Sequence, residues 1–291
     1  MNSTALGIID THCHLWKIEL ASQAGLTKEF EPLFRTFGPT DLLQAAQTVG
    51  VQQFVLIEAG KTAEENRVLE QMAASTAEIT AMAPYVELES PALETELDAW
   101  QQNPKFRGVR MRFEGHPDPD ILARPSIVAG LGQVARRKLR FEFLVRTGHL
   151  KDILRLYERF PDLKGVIEHM AKPDMNDGTE KAEWQETMKA LAENTSLFCK
   201  LSLSPRAEQI GEILADPANK RWSAEVINPY VQFLLEHFGT GRLMWGSDWP
   251  VALVNSNYTD IYQIMRQAIG LVGPADEQRL YRTTAMRFYA L

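Results

Sequence analysis

Short β-rich runs alternate with helical patterns eight times along the chain, and this alternation restricts the fold more than any other feature. The runs are rich in β-branched and aromatic residues and cover residues 6–11, 53–59, 79–86, 107–113, 140–146, 164–169, 197–203 and 242–248. Eight strand–helix units in 291 residues are typical of a (β/α)8 TIM barrel of the α/β class. We predict that barrel, with one domain over residues 1–291; a doubly wound open sheet is the alternative.

Local signals predict where some helices begin and end. Thr62 followed by Glu65 is a capping-box pattern, and Ser90-Pro91 reads as an N-cap followed by proline in the first helical turn. Gly50 and Gly239 are expected helix ends. Segments before strands are short, whereas several segments after strands are long, namely 15–38, 114–125, 170–181, 204–222 and 249–258. Chemistry is therefore expected at the carboxyl ends of the strands.

Composition narrows the class of partner. The 31 Lys and Arg against 38 Asp and Glu give a net charge of −7, and scattered basic residues argue against nucleic acid. The sequence has no apolar run of about 20 residues and no basic signal-peptide start, so we expect no membrane span and a cytoplasmic location. Cys13 and Cys199 form no C-x-x-C pair, which favours a reducing compartment. A small-molecule substrate is expected, and the sequence leaves a homo-oligomer open.

The first strand leads into a histidine pair. Because strand side chains alternate, His12 and His14 are expected on one side and Cys13 on the other, in the barrel wall. Two imidazoles at a barrel mouth suit a divalent metal or can polarise a carbonyl. Histidines with a purely structural role are the alternative.

Two further polar residues end buried apolar strands. His169 ends the sixth run and Asp248 the eighth, positions that suit a barrel mouth better than a core. The first and eighth strands of a barrel are neighbours, so Asp248 is expected near His12 and His14. Three histidines and a carboxylate suit zinc or a similar ion, with an open position for water. As an alternative, Asp248 caps the turn in Gly-Ser-Asp-Trp-Pro.

Candidate substrate-binding residues follow the same strand logic. Arg110 and Arg112 share one face of the fourth strand, and their guanidinium groups can bind a carboxylate or hydroxyls. Lys200 lies on the seventh strand, and Trp16 and Trp249 follow the first and eighth strands, where they can wall a pocket. For the charged residues the alternative is a buried layer of ion pairs, formed by Arg110, Lys200, Glu58 and Glu142.

Six short motifs, in order across nearly the whole chain, carry a family resemblance. They are Asp10-Thr-His12-Cys-His14-Leu-Trp16, Arg107-Gly-Val-Arg110, Phe141-Glu-Phe-Leu-Val145, Glu168-His169-Met-Ala-Lys172-Pro173, Lys200-Leu-Ser202 and Gly246-Ser-Asp248-Trp-Pro250. The set resembles the amidohydrolase-2 branch of the amidohydrolase superfamily, which contains sugar-acid lactonases, 2-pyrone-4,6-dicarboxylate lactonase and 4-sulfomuconolactone hydrolase.

The resemblance implies a TIM-barrel hydrolase that opens a lactone ring with water. Arginines on the fourth strand, with Glu142 and Arg146 on the fifth, depart from the two-metal members of the superfamily, so a single zinc ion or no metal is expected. Arg112 leans toward an anionic substrate. Decarboxylation or amide hydrolysis on the same scaffold, and a barrel that binds a small acid without turnover, are the competing functions.

From these residues we expect Asp248 to act as the base that activates water. His12, His14 and His169, directly or through bound zinc, are expected to stabilise the oxyanion.

Overall fold

Eight parallel strands form the centre of the part of the chain that the structure describes. The computed structural model describes residues 7–175, 178–216 and 222–291. The strands are β1 (Ile8–Cys13), β2 (Val51–Ile57), β3 (Ile79–Ala83), β4 (Gly108–Arg112), β5 (Arg140–Leu144), β6 (Lys164–Ile167), β7 (Phe198–Leu201) and β8 (Leu243–Trp245). All eight predicted strands are confirmed, with ends that differ by a few residues; Leu6 of the first run lies outside the described residues.

Helices pack around the strands, and the last of them closes one end of the barrel. They are α1 (Ile18–Gln23), α2 (Pro39–Ala46), α3 (Ala63–Ala74), α4 (Leu93–Trp100), α5 (Pro125–Arg136), α6 (Leu150–Arg159), α7 (Lys181–Asn194), α8 (Ala207–Ala215), α9 (Ala224–Phe238), α10 (Tyr258–Ile269), α11 (Pro274–Gln278) and α12 (Thr284–Tyr289). Among the described helices, none combines the length and the apolar character that a membrane crossing demands.

The strands close into a barrel through two further junctions. One sheet runs β1-β2-β3 and the other β4-β5-β6-β7-β8, with every pairing parallel. The first junction is made where Met82 N donates to Lys105 O at 2.8 Å, and the second where Asp248 N donates to His12 O at 2.8 Å. The predicted TIM barrel is therefore confirmed, and the open sheet is wrong.

Two of the predicted helix boundaries are confirmed and one is wrong. Thr62 caps α3 in a complete capping box with Glu65, as predicted, and Gly239 ends α9 at a φ of 67°. Ser90-Pro91 was wrong as a helix start, because the Ser90 hydroxyl instead accepts from Ala92 N in a turn and α4 begins at Leu93.

The core has two layers. The larger one packs the outer faces of the strands against the helices, and Cys13 belongs to it. The smaller fills the bottom of the barrel, where Val55 and Val166 meet Phe288 and Tyr289 of α12. The chain therefore closes one end of the barrel with its last helix and leaves the other end, where the strands terminate, open for a site.

Candidate active site

A bulge in β1 aims two histidines into the barrel. The pairing of β1 with β2 shifts register between Asp10 and Cys13, and such a bulge re-aims the side chains that follow it. Cys13 is buried in the outer layer with Sγ near Val55 O. The Nε2 atoms of His12 and His14 lie 3.1 Å apart on the inner side.

A left-handed turn presents the third histidine. Residues 169–172 follow β6 and all have positive φ, between 44° and 64°, a conformation that costs non-glycine residues energy. Hydrogen bonds from neighbouring helices hold the turn: Trp184 Nε1 donates to Met170 O at 2.7 Å, and Arg206 Nη2 donates to Lys172 O at 2.8 Å. The backbone strain of these left-handed residues therefore lies within the candidate active site.

Asp248 stands at the centre of the three imidazoles. It follows β8 at a φ of 57°. Its Oδ1 lies 3.1 Å from His14 Nε2, 3.5 Å from His12 Nε2 and 3.9 Å from His169 Nε2. Its Oδ2 has no hydrogen-bond partner among the described residues. The four residues singled out in the sequence are therefore brought together, and one carboxylate oxygen is left available.

Burial and charge set the protonation of this group. Burial alone raises the pKa of the Asp248 carboxyl, but His169, the hydrogen bond from His14 and Lys172 outweigh it and lower the pKa to about 2. Burial lowers the pKa of His12 and His169 well below the usual value. At neutral pH the site therefore holds an ionised Asp248 beside neutral His12 and His169.

The buried carboxylate of Asp10, in β1, links this strand to the segment that follows β8. Asp10 accepts from Ser247 Oγ at 2.6 Å and from Tyr258 OH at 2.7 Å, and it also accepts from His12 N at 3.0 Å. These bonds fix β1 against the segment after β8. Sequence reasoning missed this network, although a carboxylate inside an apolar strand was a signal for it.

The donor set fits a divalent metal ion. His14 Nδ1 lies 2.9 Å from Glu58 O, and this contact orients the ring with Nε2 toward Asp248. Candidate ligand atoms of His12, His169 and Asp248 lie within 4.8 Å of one another. Imidazoles with a carboxylate are ligands that zinc prefers.

The two arginines of β4 are held in ion pairs. Arg110 donates to Glu168 Oε2 at 2.6 Å and to Glu58 Oε1 at 3.0 Å. Arg112 engages both oxygens of Glu58 at 2.7 Å. The side chain of Arg112 is 29% exposed, whereas that of Arg110 is 4% exposed. Both arginines line the cavity, with their charges balanced.

Lys200 lies away from the cavity lining. It is fully buried, and its ammonium group pairs with Glu142 at 2.7 Å and donates to Thr11 O at 2.8 Å. It also lies 3.2 Å from His12 Nδ1. This placement matches the buried ion-pair layer, formed by Arg110, Lys200, Glu58 and Glu142.

The cavity above Asp248 has a volume of about 200 Å³. Trp16 lines it, while Trp249 is 2% exposed and packs against Phe37 behind it. A pair that sequence reasoning missed, Lys172 with Glu114 at 2.6 Å, forms part of the wall. Lys172 belongs to the motif from Glu168 to Pro173, and this motif could have predicted its place at the site. Glu114 lies in a loop, and no sequence pattern predicted its role.

The chain is similar to a known protein family, to characterised proteins and to solved structures. A profile of the amidohydrolase family matches residues 9–291. The chain is 30% identical over 290 residues to the L-fucono-1,5-lactonase of Burkholderia ambifaria, covering 97% of this chain and 95% of that protein. It is 22% identical to the 2-pyrone-4,6-dicarboxylate hydrolase of Comamonas testosteroni, covering 97% and 90%. An amidohydrolase structure from Burkholderia multivorans with bound zinc superposes with a TM-score of 0.84 at 24% identity, covering 98% and 99%.

Proposed function

This chain belongs to the amidohydrolase family, and from that membership we propose how it works as a hydrolase that opens a lactone ring by attack of water on the carbonyl. One observation carries the mechanism: three imidazoles converge on an ionised Asp248 whose Oδ2 is unpartnered among the described residues, at the floor of a cavity of about 200 Å³. A cavity of about 150 Å³ holds benzene, so this one accepts a single substituted ring.

Asp248 is the base in this mechanism. Its Oδ2 takes a proton from a water molecule as the oxygen of that water attacks the lactone carbonyl carbon. A carboxylate with a pKa of about 2 holds that proton only briefly, so it passes the proton to the ring oxygen as the carbon–oxygen bond breaks. The products are the hydroxy acid and the regenerated carboxylate.

His169 stabilises the oxyanion that forms on the carbonyl. The Ser202 hydroxyl lies 2.8 Å from His169 Nδ1 and can donate to it. The proton of a neutral His169 is then on Nε2, where it can donate to the oxyanion.

We also propose that the site holds one zinc ion. His12, His14, His169 and Asp248 would hold it, and it would supply Lewis-acid polarisation of the carbonyl. For His169 to be a ligand, its proton would lie on Nδ1 and be donated to the Ser202 hydroxyl, and the ion would then replace the Nε2–H donor at the oxyanion. The relative from Burkholderia multivorans, which has zinc bound, supports this assignment.

The charges around the cavity favour a neutral, hydroxylated lactone. Arg110 and Arg112 are balanced by Glu58 and Glu168, and Lys172 by Glu114. Each basic side chain among the described residues that line the cavity is therefore already paired with a carboxylate, so none offers a free positive charge to an anionic ring. In the sequence, Arg112 was the residue that favoured an anionic substrate. Because Arg112 is paired with Glu58, we expect the exposed edge of its guanidinium to bind a substrate hydroxyl instead. The sugar lactone in the name of the Burkholderia ambifaria relative fits this charge balance.

The test is acid release from a panel of lactones, followed with a pH indicator. Neutral aldonolactones and unsaturated dicarboxylic lactones are each supplied with added zinc and with chelator. We expect aldonolactones to be opened, and Asp248→Asn to reduce kcat by at least about a thousandfold with little change in substrate binding.

Asp98→Asn is the matched control, since Asp98 is a surface partner of Arg137 and 60% of its side chain is exposed. Full turnover by Asp248→Asn would remove Asp248 from the mechanism. Carbon dioxide release from carboxylic acids, without acid release from any lactone, would instead support a decarboxylase.

A further inference from the structure

A second cavity continues from the first toward α1. Its volume is about 270 Å³, and apolar residues of α1 and of the segment after it form most of its wall, including Ala21, Leu26, Phe30 and Leu33. It shares part of its lining with the cavity above Asp248, namely Trp16, Ala59, Arg112, Ile210 and Val251. The two cavities therefore meet along one wall.

The charged groups of this second cavity are already engaged. Glu65 accepts from Thr62 N at 3.0 Å in the capping box of α3. Arg112 is bound to both oxygens of Glu58 and also donates to Ala59 O at 2.6 Å. What the cavity offers to a ligand is therefore apolar surface, and it suits an uncharged group without hydrogen-bonding needs.

We propose that this cavity, defined by Ala21, Leu26, Phe30 and Leu33, is a subsite for an apolar substituent of the lactone. The inference rests on the proposed lactone hydrolysis and names the substrate class: a lactone whose ring lies above Asp248 and carries an alkyl or aryl group directed past Trp16. The volume of about 270 Å³ exceeds the roughly 150 Å³ that accommodates benzene. A chain of several carbons or one aromatic ring fits there.

The test compares δ-lactones that differ only in the substituent next to the ring oxygen: none, methyl or pentyl. Affinity is measured by calorimetry on the inactive Asp248→Asn variant, and kcat/KM on the unmodified chain. Burial of each methylene strengthens binding by up to about fourfold. We expect the pentyl lactone to bind at least about tenfold more tightly than the methyl lactone.

Two phenylalanine substitutions on α1 test the location. Ala21→Phe fills the subsite and is expected to abolish the preference for the pentyl lactone, while sparing the unsubstituted ring. Gln23→Phe is the matched control, because Gln23 is exposed on the same helix and lies outside the cavity lining. It should retain the preference.

Equal affinity for all three rings, or no measurable binding of the pentyl lactone, would overturn the subsite. So would a preference that Ala21→Phe leaves intact. Acid release from hydroxylated lactones is scored separately, so a failed subsite leaves lactone hydrolysis standing. Absence of all lactone turnover, with the substituent dependence of affinity retained, refutes the proposed function and not the subsite.

Discussion

Glu58 decides which charge the pocket presents. It is buried at the end of β2 and binds Arg112 through both oxygens and Arg110 through one. Burial alone raises the pKa of this carboxyl, but the two guanidinium groups outweigh it and hold the pKa below its usual range. Glu58 is therefore ionised and cancels a positive charge that would otherwise face the substrate.

The residue-scale prediction is a change of substrate charge in Glu58→Gln. The amide cannot neutralise Arg112, whose guanidinium then becomes available to a substrate carboxylate. We expect the ratio of kcat/KM for an anionic lactone to that for a neutral lactone to rise by about tenfold, the size of one charged hydrogen bond. Steady-state kinetics with one lactone of each kind provides the measurement.

Glu94→Gln is the matched control, because Glu94 pairs with Arg137 on the surface and 73% of its side chain is exposed. It should leave the ratio unchanged. A ratio that also stays constant in Glu58→Gln would mean that Arg112 does not contact the substrate.

Strand position was enough to predict the convergent residues but not the charge network. His169 and Asp248 were predicted because polar residues at the ends of apolar strands belong at a barrel mouth. Lys200 was a substrate-binding candidate from its place on the seventh strand, yet its ammonium group pairs with Glu142 in the barrel interior. Which buried carboxylate a long side chain reaches depends on distances between strands that are remote in sequence, and periodicity does not contain them.

At the scale of elements, two irregular segments aim the site. The bulge of β1 turns His12 and His14 inward, and the left-handed turn at residues 169–172 carries His169. Neither segment contains glycine, the residue type most often found at positive φ, so no local pattern predicts the turn. Contacts from α7 and from the start of α8 impose it, through Trp184 and Arg206.

The element-scale prediction concerns Trp184→Phe. The variant removes the donor to Met170 O while keeping an aromatic ring, and the left-handed turn loses one restraint. We expect kcat to fall by about tenfold with a smaller change in KM, because His169 is displaced relative to the carbonyl. Stability should fall by about 1–3 kcal/mol, the cost of leaving a buried carbonyl unpaired.

The control for this prediction is Trp245→Phe. Trp245 is also fully buried, but its indole nitrogen has no hydrogen-bond partner among the described residues. The control therefore loses the same volume without losing a bond. If both variants lowered kcat equally, lost packing would account for the effect and the turn would need no restraint from Trp184.

For the whole molecule, the alternation of strands and helices predicted the barrel because each strand must bury its apolar side chains against the helix that follows it. The closure of the barrel bottom was not predicted. There α12 inserts Phe288 and Tyr289, and Tyr289 OH donates to Glu142 Oε1 at 2.5 Å. A short final helix has the same apolar pattern whether it packs outside or plugs the barrel. In the structure, the small residues Ala81 and Ala83 of β3 belong to the same buried cluster as Phe288 and Tyr289.

The buried ionisable groups make the stability of the whole fold depend on pH. His12 and His169 have pKa values lowered by burial, so below a pH of about 6.5 the unfolded chain binds more protons than the folded one. Their contribution is complete above that pH and is lost as the pH falls, by up to about 1.4 kcal/mol per pH unit for each histidine. Asp10 and Glu142, whose pKa values burial raises, act in the opposite direction at lower pH.

Urea unfolding at pH 8, 6.5 and 5, in the presence of chelator, measures this dependence. We expect the free energy of unfolding to fall between pH 6.5 and 5, and His169→Gln to fall less steeply because glutamine does not titrate. The difference in slope isolates the histidine from Asp10 and Glu142, which both proteins share. Parallel curves for the unmodified chain and His169→Gln would show that His169 accepts a proton in the folded state as readily as in the unfolded chain, contrary to its burial at 2% exposure.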